Sequence, residues 1–209
     1  MLGLVTDAAS NVYAGGGFQG TLNLGNGPLV SAGNADVFLA RFEANGNPVW
    51  SKRFGDAQNQ VLRDLAIDGK GRLSFGGEMQ GSTDFGGGPI GGNSRGFIAQ
   101  FDGAGKHLWS HAASDGQAQV KGVAVDGLGS VLLTGEFSGA SDFGGGALVS
   151  EGSSDLFLVK LGPAGQHVWS KRFGDAAAQF GLDTAGSAAG FVAVTGNFNG
   201  GINFGGGPI

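Results

Sequence analysis

The feature that most constrains this chain is that it repeats itself. Trp50, Trp109 and Trp169 stand 59 and 60 residues apart, and the heptad Trp50-Ser51-Lys52-Arg53-Phe54-Gly55-Asp56 returns letter for letter at 169–175. The copy between them is degraded to Trp109-Ser110-His111-Ala112-Ala113-Ser114-Asp115. A second marker, Phe85-Gly86-Gly87-Gly88-Pro89-Ile90, recurs identically at 204–209. Phe143-Gly144-Gly145-Gly146 stands between, and Leu24-Gly25-Asn26-Gly27 is a looser first copy. A sustained period of this length is the signature of a stacked repeat architecture. The chain divides into one domain of repeats at 2–60, 61–119 and 120–179, with a partial repeat at 180–209.

Within a repeat the residues read as four short strands, here called a, b, c and d. The third copy shows them best. Gly122-Val123-Ala124-Val125 ends in the turn Asp126-Gly127-Leu128-Gly129, and Val131-Leu132-Leu133-Thr134-Gly135-Glu136-Phe137 follows. After the Gly-rich segment, which reads as a flexible or tightly turned connection, come Leu156-Phe157-Leu158-Val159-Lys160-Leu161, a turn at 162–165, and His167-Val168-Trp169-Ser170-Lys171-Arg172-Phe173. These are β-prone runs separated by turn chemistry. Asp68, Asp102 and Asp126 each open an Asp-x-x-Gly turn. The Asp accepts from the backbone two residues on, and the Gly supplies a positive φ. Gly46, Gly105 and Gly165 take that role between strands c and d.

Gly is abundant, 45 of 209 residues, about three times its ordinary share of roughly 7%. Disorder is disfavoured, because 41% of residues are hydrophobic and only 14% are charged. Strand c is apolar at consecutive positions, as in Val37-Phe38-Leu39-Ala40, which implies cover on both faces rather than one wet face. Strand a carries small residues such as Ala66 and Ala124. The expected fold is therefore an all-β propeller of four-stranded antiparallel blades, three complete and one half, forming an incomplete ring or, alternatively, a four-bladed ring whose last blade is thin. The unpaired strand b of the last copy, near 191–198, is expected to invite self-association.

The pattern of a strand-a Asp, then Val-x-x-Thr-Gly-x-Phe, Asp-Phe-Gly-Gly-Gly, Asp-x-Phe-x-x-Lys-Leu and Trp-Ser-Lys-Arg-Phe-Gly-Asp resembles the SBBP-type β-propeller repeat, and more distantly NHL-type blades. The third copy carries it through Asp126, Thr134, Phe137, Asp142, Asp155, Phe157, Lys160 and Trp169. Arg95 departs from the strand-c Asp, and Ser187 from the strand-a Asp. The resemblance implies a propeller and an extracellular or cell-surface bacterial protein. It implies no reaction.

Net charge is −5 and the pI about 5.0, which argues against a nucleic-acid or anionic-membrane surface. No apolar run approaches a membrane span, and the first seven residues lack the pattern of a signal peptide. Absence of Cys excludes disulfides. Gly15-Gly16-Gly17-Phe18-Gln19-Gly20 matches G-x-G-x-x-G but falls inside strand b, where no helix follows. Asp84 and Asp142, with Asn23 and Asn203 at matching positions, are weak calcium candidates, since calcium takes six to eight oxygens. His107, His111 and His167 form no metal spacing, and no nucleophile–base motif occurs. Trp50, Trp109 and Trp169 read as inter-blade core, or alternatively as sugar-stacking platforms. The sequence predicts no cofactor. It predicts a non-catalytic scaffold or interaction module for a protein or glycan partner. The alternatives are a lectin-like propeller and, last, an enzyme with its site in a central channel.

Overall fold

A computed structural model describes residues 2–92, 95–114 and 116–209, and every regular element among them is a β-strand. The first repeat holds β1 (Leu2–Thr6), β2 (Val12–Phe18), β3 (Thr21–Asn23), β4 (Pro28–Val30), β5 (Asp36–Phe42) and β6 (Pro48–Phe54). The second holds β7 (Gln60–Ile67), β8 (Leu73–Met79), β9 (Ser82–Asp84), β10 (Pro89–Gly91), β11 (Arg95–Phe101) and β12 (His107–Ala112). The third holds β13 (Gln117–Val125), β14 (Val131–Ser138), β15 (Ala140–Asp142), β16 (Ala147–Val149), β17 (Asp155–Leu161) and β18 (His167–Phe173). β19 (Gln179–Gly186) and β20 (Val192–Phe198) form a final two-stranded sheet. Each of the three repeats folds into one four-stranded antiparallel sheet in the order a, b, c, d.

The turns form as their residues dictate. Asp68 Oδ1 accepts from the N–H groups of Lys70 and Arg72, Asp102 Oδ1 from Ala104 and Lys106, and Asp126 Oδ1 from Leu128 and Ser130, all at 2.8–3.0 Å. The closing Gly71, Gly105 and Gly129 have φ between 76° and 80°, and Gly165 sits at 81°. Ser187, which replaces the Asp in the last copy, takes over its function, its hydroxyl accepting from Phe191 N–H.

Two expectations change. Strand a is not short after the first repeat. In the third it runs nine residues, from Gln117, where the sequence pattern gave only 122–125. An extra residue, Arg63, Lys121 or Leu182, interrupts the ladder of β7, β13 and β19. A bulge of this kind puts the side-chain alternation out of phase on its two sides. It also explains the Gly in strand b. A Cβ at Gly77, Gly135 or Gly196 would run into the carbonyl oxygen of Val61, Gln119 or Phe180. The Gly-rich segment, in turn, is not a plain connection but a small hairpin, β3–β4, β9–β10 or β15–β16. Its turn lies under the first residue of strand d. Pro48 covers Gly25, the His107 ring covers Gly87, and the His167 ring covers Gly145.

The sheets stack in order, each strand a lying against strands a, b and c of the sheet before it. β7 packs on sheet one, β13 on sheet two and β19 on sheet three. One apolar core fills the first junction, with Leu39, Leu62, Leu65, Phe54, Phe75, Phe85, Phe97 and Phe101. A second, with Val120, Val123, Leu133, Phe137, Phe157 and Val159, fills the next. Paired strand-a side chains thin along the series, from Leu62 and Leu65 to Val120 and Val123 to Gly181 and Thr184. Strand b is buried in β8 and β14 but largely exposed in β20, whose outer edge meets no strand c among the described residues.

Candidate functional site

In an antiparallel meander the start of a, the end of b, the start of c and the end of d share one end of the sheet. The repeat heptad closes that end. Arg53 Nη1 pairs with Asp36 at 2.6 Å and Arg172 Nη1 with Asp155 at 2.8 Å, and both carboxylates have no exposed surface. Gln60 Oε1 accepts from Asp56 N–H, while its amide donates to Asp56 Oδ1 and the Gln80 carbonyl. Gln179 repeats this with Asp175 and Asn199.

At the connection between sheets two and three these devices are gone. Ala112 replaces the Arg and Arg95 the Asp, so the ion pair disappears from both sides at once. Arg95 Nη1 donates to the Ala113 carbonyl instead, at 3.0 Å. Aligned through the ladder, the anchoring Gln becomes the buried Ala118, and Gln117 and Gln119 flank it. Asp115, the last residue of the degraded heptad, lies outside the described residues.

Here a cleft of about 470 Å³ opens across the ends of sheets two and three. Its wall is polar. Asn59, Gln80, Gln117 and Gln119 supply carboxamides, and Ser138, Ser153 and Ser154 supply hydroxyls. Neither the Gln117 nor the Gln119 side chain has a hydrogen-bond partner among the described residues. Glu78 and Glu136 complete the wall, each tied to the cation at its own strand-a bulge. Glu78 pairs with Arg63, and Glu136 with Lys121 at 2.5 Å. The Lys121 ammonium also lies 5.3 Å from the centre of the Phe180 ring. Of the apolar lining residues, Met79 and Phe137 are each only 1% exposed, leaving Val61 as the accessible one.

The residues singled out in the sequence lie elsewhere. Asp84 Oδ1 accepts from Gly86 and Gly88, and Asp142 Oδ1 from Gly144, Gly145 and Gly146, so each carboxylate is engaged by its own hairpin turn. Asn23 and Asn203 do the same. No group of three metal-ligating side chains occurs among the described residues. Trp50 Nε1 donates to the Gly103 carbonyl and Trp109 Nε1 to the Pro163 carbonyl, each reaching the c–d turn of the next sheet. Trp169 is half-buried in β18. Gly15, Gly16 and Gly17 lie in β2. His107, pushed below its ordinary pKa by burial against the opposing pull of Asp84, packs on its hairpin. His111 Nε2 lies 2.9 Å from the Gly165 carbonyl.

The cleft residues were not legible as a site, because isolated Gln and Ser at strand ends resemble ordinary turn residues. One signal pointed to them, the degraded heptad at 109–115. Comparison with family models and with curated proteins finds no match for this chain.

Proposed function

We propose that this chain is a non-catalytic interaction module, built as successive blades of a β-propeller and belonging to a secreted or cell-surface protein. The blade reading is supported by the a-b-c-d meander, by the inter-sheet Trp contacts, and by each strand a lying across the preceding sheet. The final hairpin then supplies strands a and b of a further blade. The resemblance to SBBP-type repeats supports the setting.

The ligand site of this module is the cleft over sheets two and three. The observation that carries the reading is the state of its two carboxylates. Glu78 and Glu136 are each ion-paired with a cation of their own sheet, Arg63 and Lys121, so the wall presents these charges already matched, with Glu78 Oε2 buried and without a hydrogen-bond partner among the described residues. The remaining polar groups of the wall are amides and hydroxyls. A hydroxyl needs an adjacent base to act as a nucleophile, and among the described residues no hydrogen bond joins Ser138, Ser153 or Ser154 to a carboxylate or imidazole.

Hydrogen exchange on the purified chain, challenged with a library of peptides and oligosaccharides, tests this. A bound ligand slows exchange at 59–61, 78–80, 117–119 and 136–138 and is recovered chemically unchanged. Turnover of the ligand, or protection confined to the Trp positions, overturns the reading.

A further inference from the structure

We infer that the cleft over sheets two and three takes an uncharged, hydroxyl-rich ligand, a neutral oligosaccharide. The inference rests on the interaction-module reading and names its ligand. Three properties of the wall select this chemistry.

The first is charge. Among the described lining residues the carboxylates are Glu78 and Glu136, each matched by a cation of the same sheet, Arg63 or Lys121. The described wall therefore offers no surplus of either sign to select an anionic or cationic polymer. The second is the hydrogen-bonding inventory. Four carboxamides and three hydroxyls line one cavity. Each carboxamide donates and accepts from adjacent atoms, and each hydroxyl does both from one atom. A ligand that satisfies them must itself donate and accept at closely spaced positions, as adjacent sugar hydroxyls do. Among the described residues the amides of Gln80, Gln117 and Gln119 show no hydrogen-bond partner, and they are groups free to meet it. The third is the shortage of apolar pockets. A peptide bound for its sequence places side chains in pockets along its length. Here Met79 and Phe137 are covered and only Val61 is accessible. The volume, about 470 Å³, lies within the usual range of roughly 300–1,000 Å³ for small-ligand sites.

Recognition therefore runs through hydrogen bonds from side chains rather than through stacking on Trp50, Trp109 or Trp169, none of which lines the cleft. The test is a printed array of neutral, sulfated and sialylated oligosaccharides, followed by titration calorimetry with the best neutral binder. Neutral glycans are retained, and raising the salt from low to high leaves the affinity unchanged, because the ligand carries no charge to be screened. Gln119→Leu and Gln117→Ala each weaken binding about five- to tenfold, the scale of one lost hydrogen bond, with the melting temperature unchanged. Three results overturn the inference: no retention of any neutral glycan by folded protein, salt-sensitive preference for sulfated or sialylated glycans, or binding indifferent to both Gln variants. If peptides protect the cleft and glycans do not, the ligand class falls while the interaction module stands. If the glycan is cleaved, the module reading falls instead.

Discussion

Sheet one meets sheet two, and sheet two meets sheet three, through the same strands of the same repeat, yet the two junctions are finished differently. At the first, Phe54 ends strand d and inserts among Phe85, Phe101 and Phe75, with ring centres 5.2, 5.4 and 6.4 Å away. Arg53 holds the buried Asp36 beside it, and Gln60 ties the d–a connection to strand b. At the second, Ala113 stands where Phe54 would be and borders a small apolar gap with Gly96, Val120, Phe143 and Leu161. The d–a connection is held instead by a backbone bridge between Ser114 and Asp142. The heptad that the sequence keeps letter for letter is thus the device that closes a junction. Where it decays, a polar cleft opens.

The largest test makes the first junction resemble the second. Phe54→Ala removes a ring that is 8% exposed and should cost about 3–5 kcal/mol, the scale of a truncated buried aromatic. Denaturant unfolding measures it. A loss under about 1 kcal/mol would mean that Phe54 is not what closes the first junction.

The ion pair comes next. Arg172→Ala leaves Asp155 buried without its cation, at about 3 kcal/mol for a broken buried pair. The second sheet already contains another solution, Arg95 with Ala112. Transplanting it as Asp155→Arg with Arg172→Ala should recover most of that loss, and a double-mutant cycle reads the coupling. Additive losses would show that the two positions in sheet two are unrelated.

A smaller effect tests the link that both junctions share, the c–d turn docked on the preceding sheet's Trp. Gly165 has φ 81°, and a Cβ there would come within 2.7 Å of the Trp109 ring. Gly165→Val should destabilise by ~1–3 kcal/mol, the cost of strained backbone. An unchanged unfolding midpoint would remove this turn from the inter-sheet contacts.

How much of this could be read in advance depended on the length scale of the signal. The turns were legible because Asp68, Asp126 and their closing Gly residues act within four residues of each other. Four strands per repeat were legible because β5, β11 and β17 are continuous apolar runs. Strand a was misjudged because Lys121 interrupts the alternation, leaving Gln117 and Gln119 to look like loop. The β9–β10 hairpin was missed because three-residue strands carry too few positions for a period. The cleft depends on residues from four strand ends and one loop, brought together only by stacking two sheets. No local pattern encodes that, although the loss of Arg and Phe at 112 and 113 marks the place.

The centre of the second junction differs from the first in charge as well. Gly3 lets β1 approach Leu65 closely, whereas Asp64 reaches across to β13 and accepts from Val123 N–H at 2.7 Å. Burial pushes the Asp64 carboxyl above the ordinary range, the N–H groups of Val123 and Leu65 oppose this, and Asp183 adds to it. A raised carboxyl favours the folded state only when protonated. Its contribution is present below the unfolded pKa, about 3.9, and is lost as pH rises through the folded value. Asp64→Asn removes the charge but keeps one acceptor oxygen where Asp64 uses two, Oδ1 for Leu65 N–H and Oδ2 for Val123 N–H. Its melting temperature relative to the parent's should therefore be higher at pH 7 than at pH 3. A difference that does not change with pH would mean that the charge of Asp64 carries no cost in the folded state.

The smallest effect belongs to the first sheet, where one turn lacks its Gly. Asp7 accepts from Ala9 and Asn11 N–H as its counterparts do, and Ser10 N–H donates to the Asp7 carbonyl at 2.9 Å. Ser10 therefore fills the position of Gly71 and Gly129, and it does so at φ 62°, the only non-Gly residue with positive φ among those described. A left-handed conformation costs an L-residue about 1–2 kcal/mol. Gly removes that cost but gives back about 0.4–1 kcal/mol through the freer unfolded chain. Ser10→Gly should thus gain roughly 0.5 kcal/mol, a rise of about 1–2 °C for a chain of this size. Among the described residues sheet one packs on sheet two, so a local gain there should leave the second junction untouched. Hydrogen exchange separates the two: protection rises across β1 and β2 and stays constant across β13 and β14. A rise shared by both would mean that the junctions unfold as one unit, and that the difference between them is confined to the cleft.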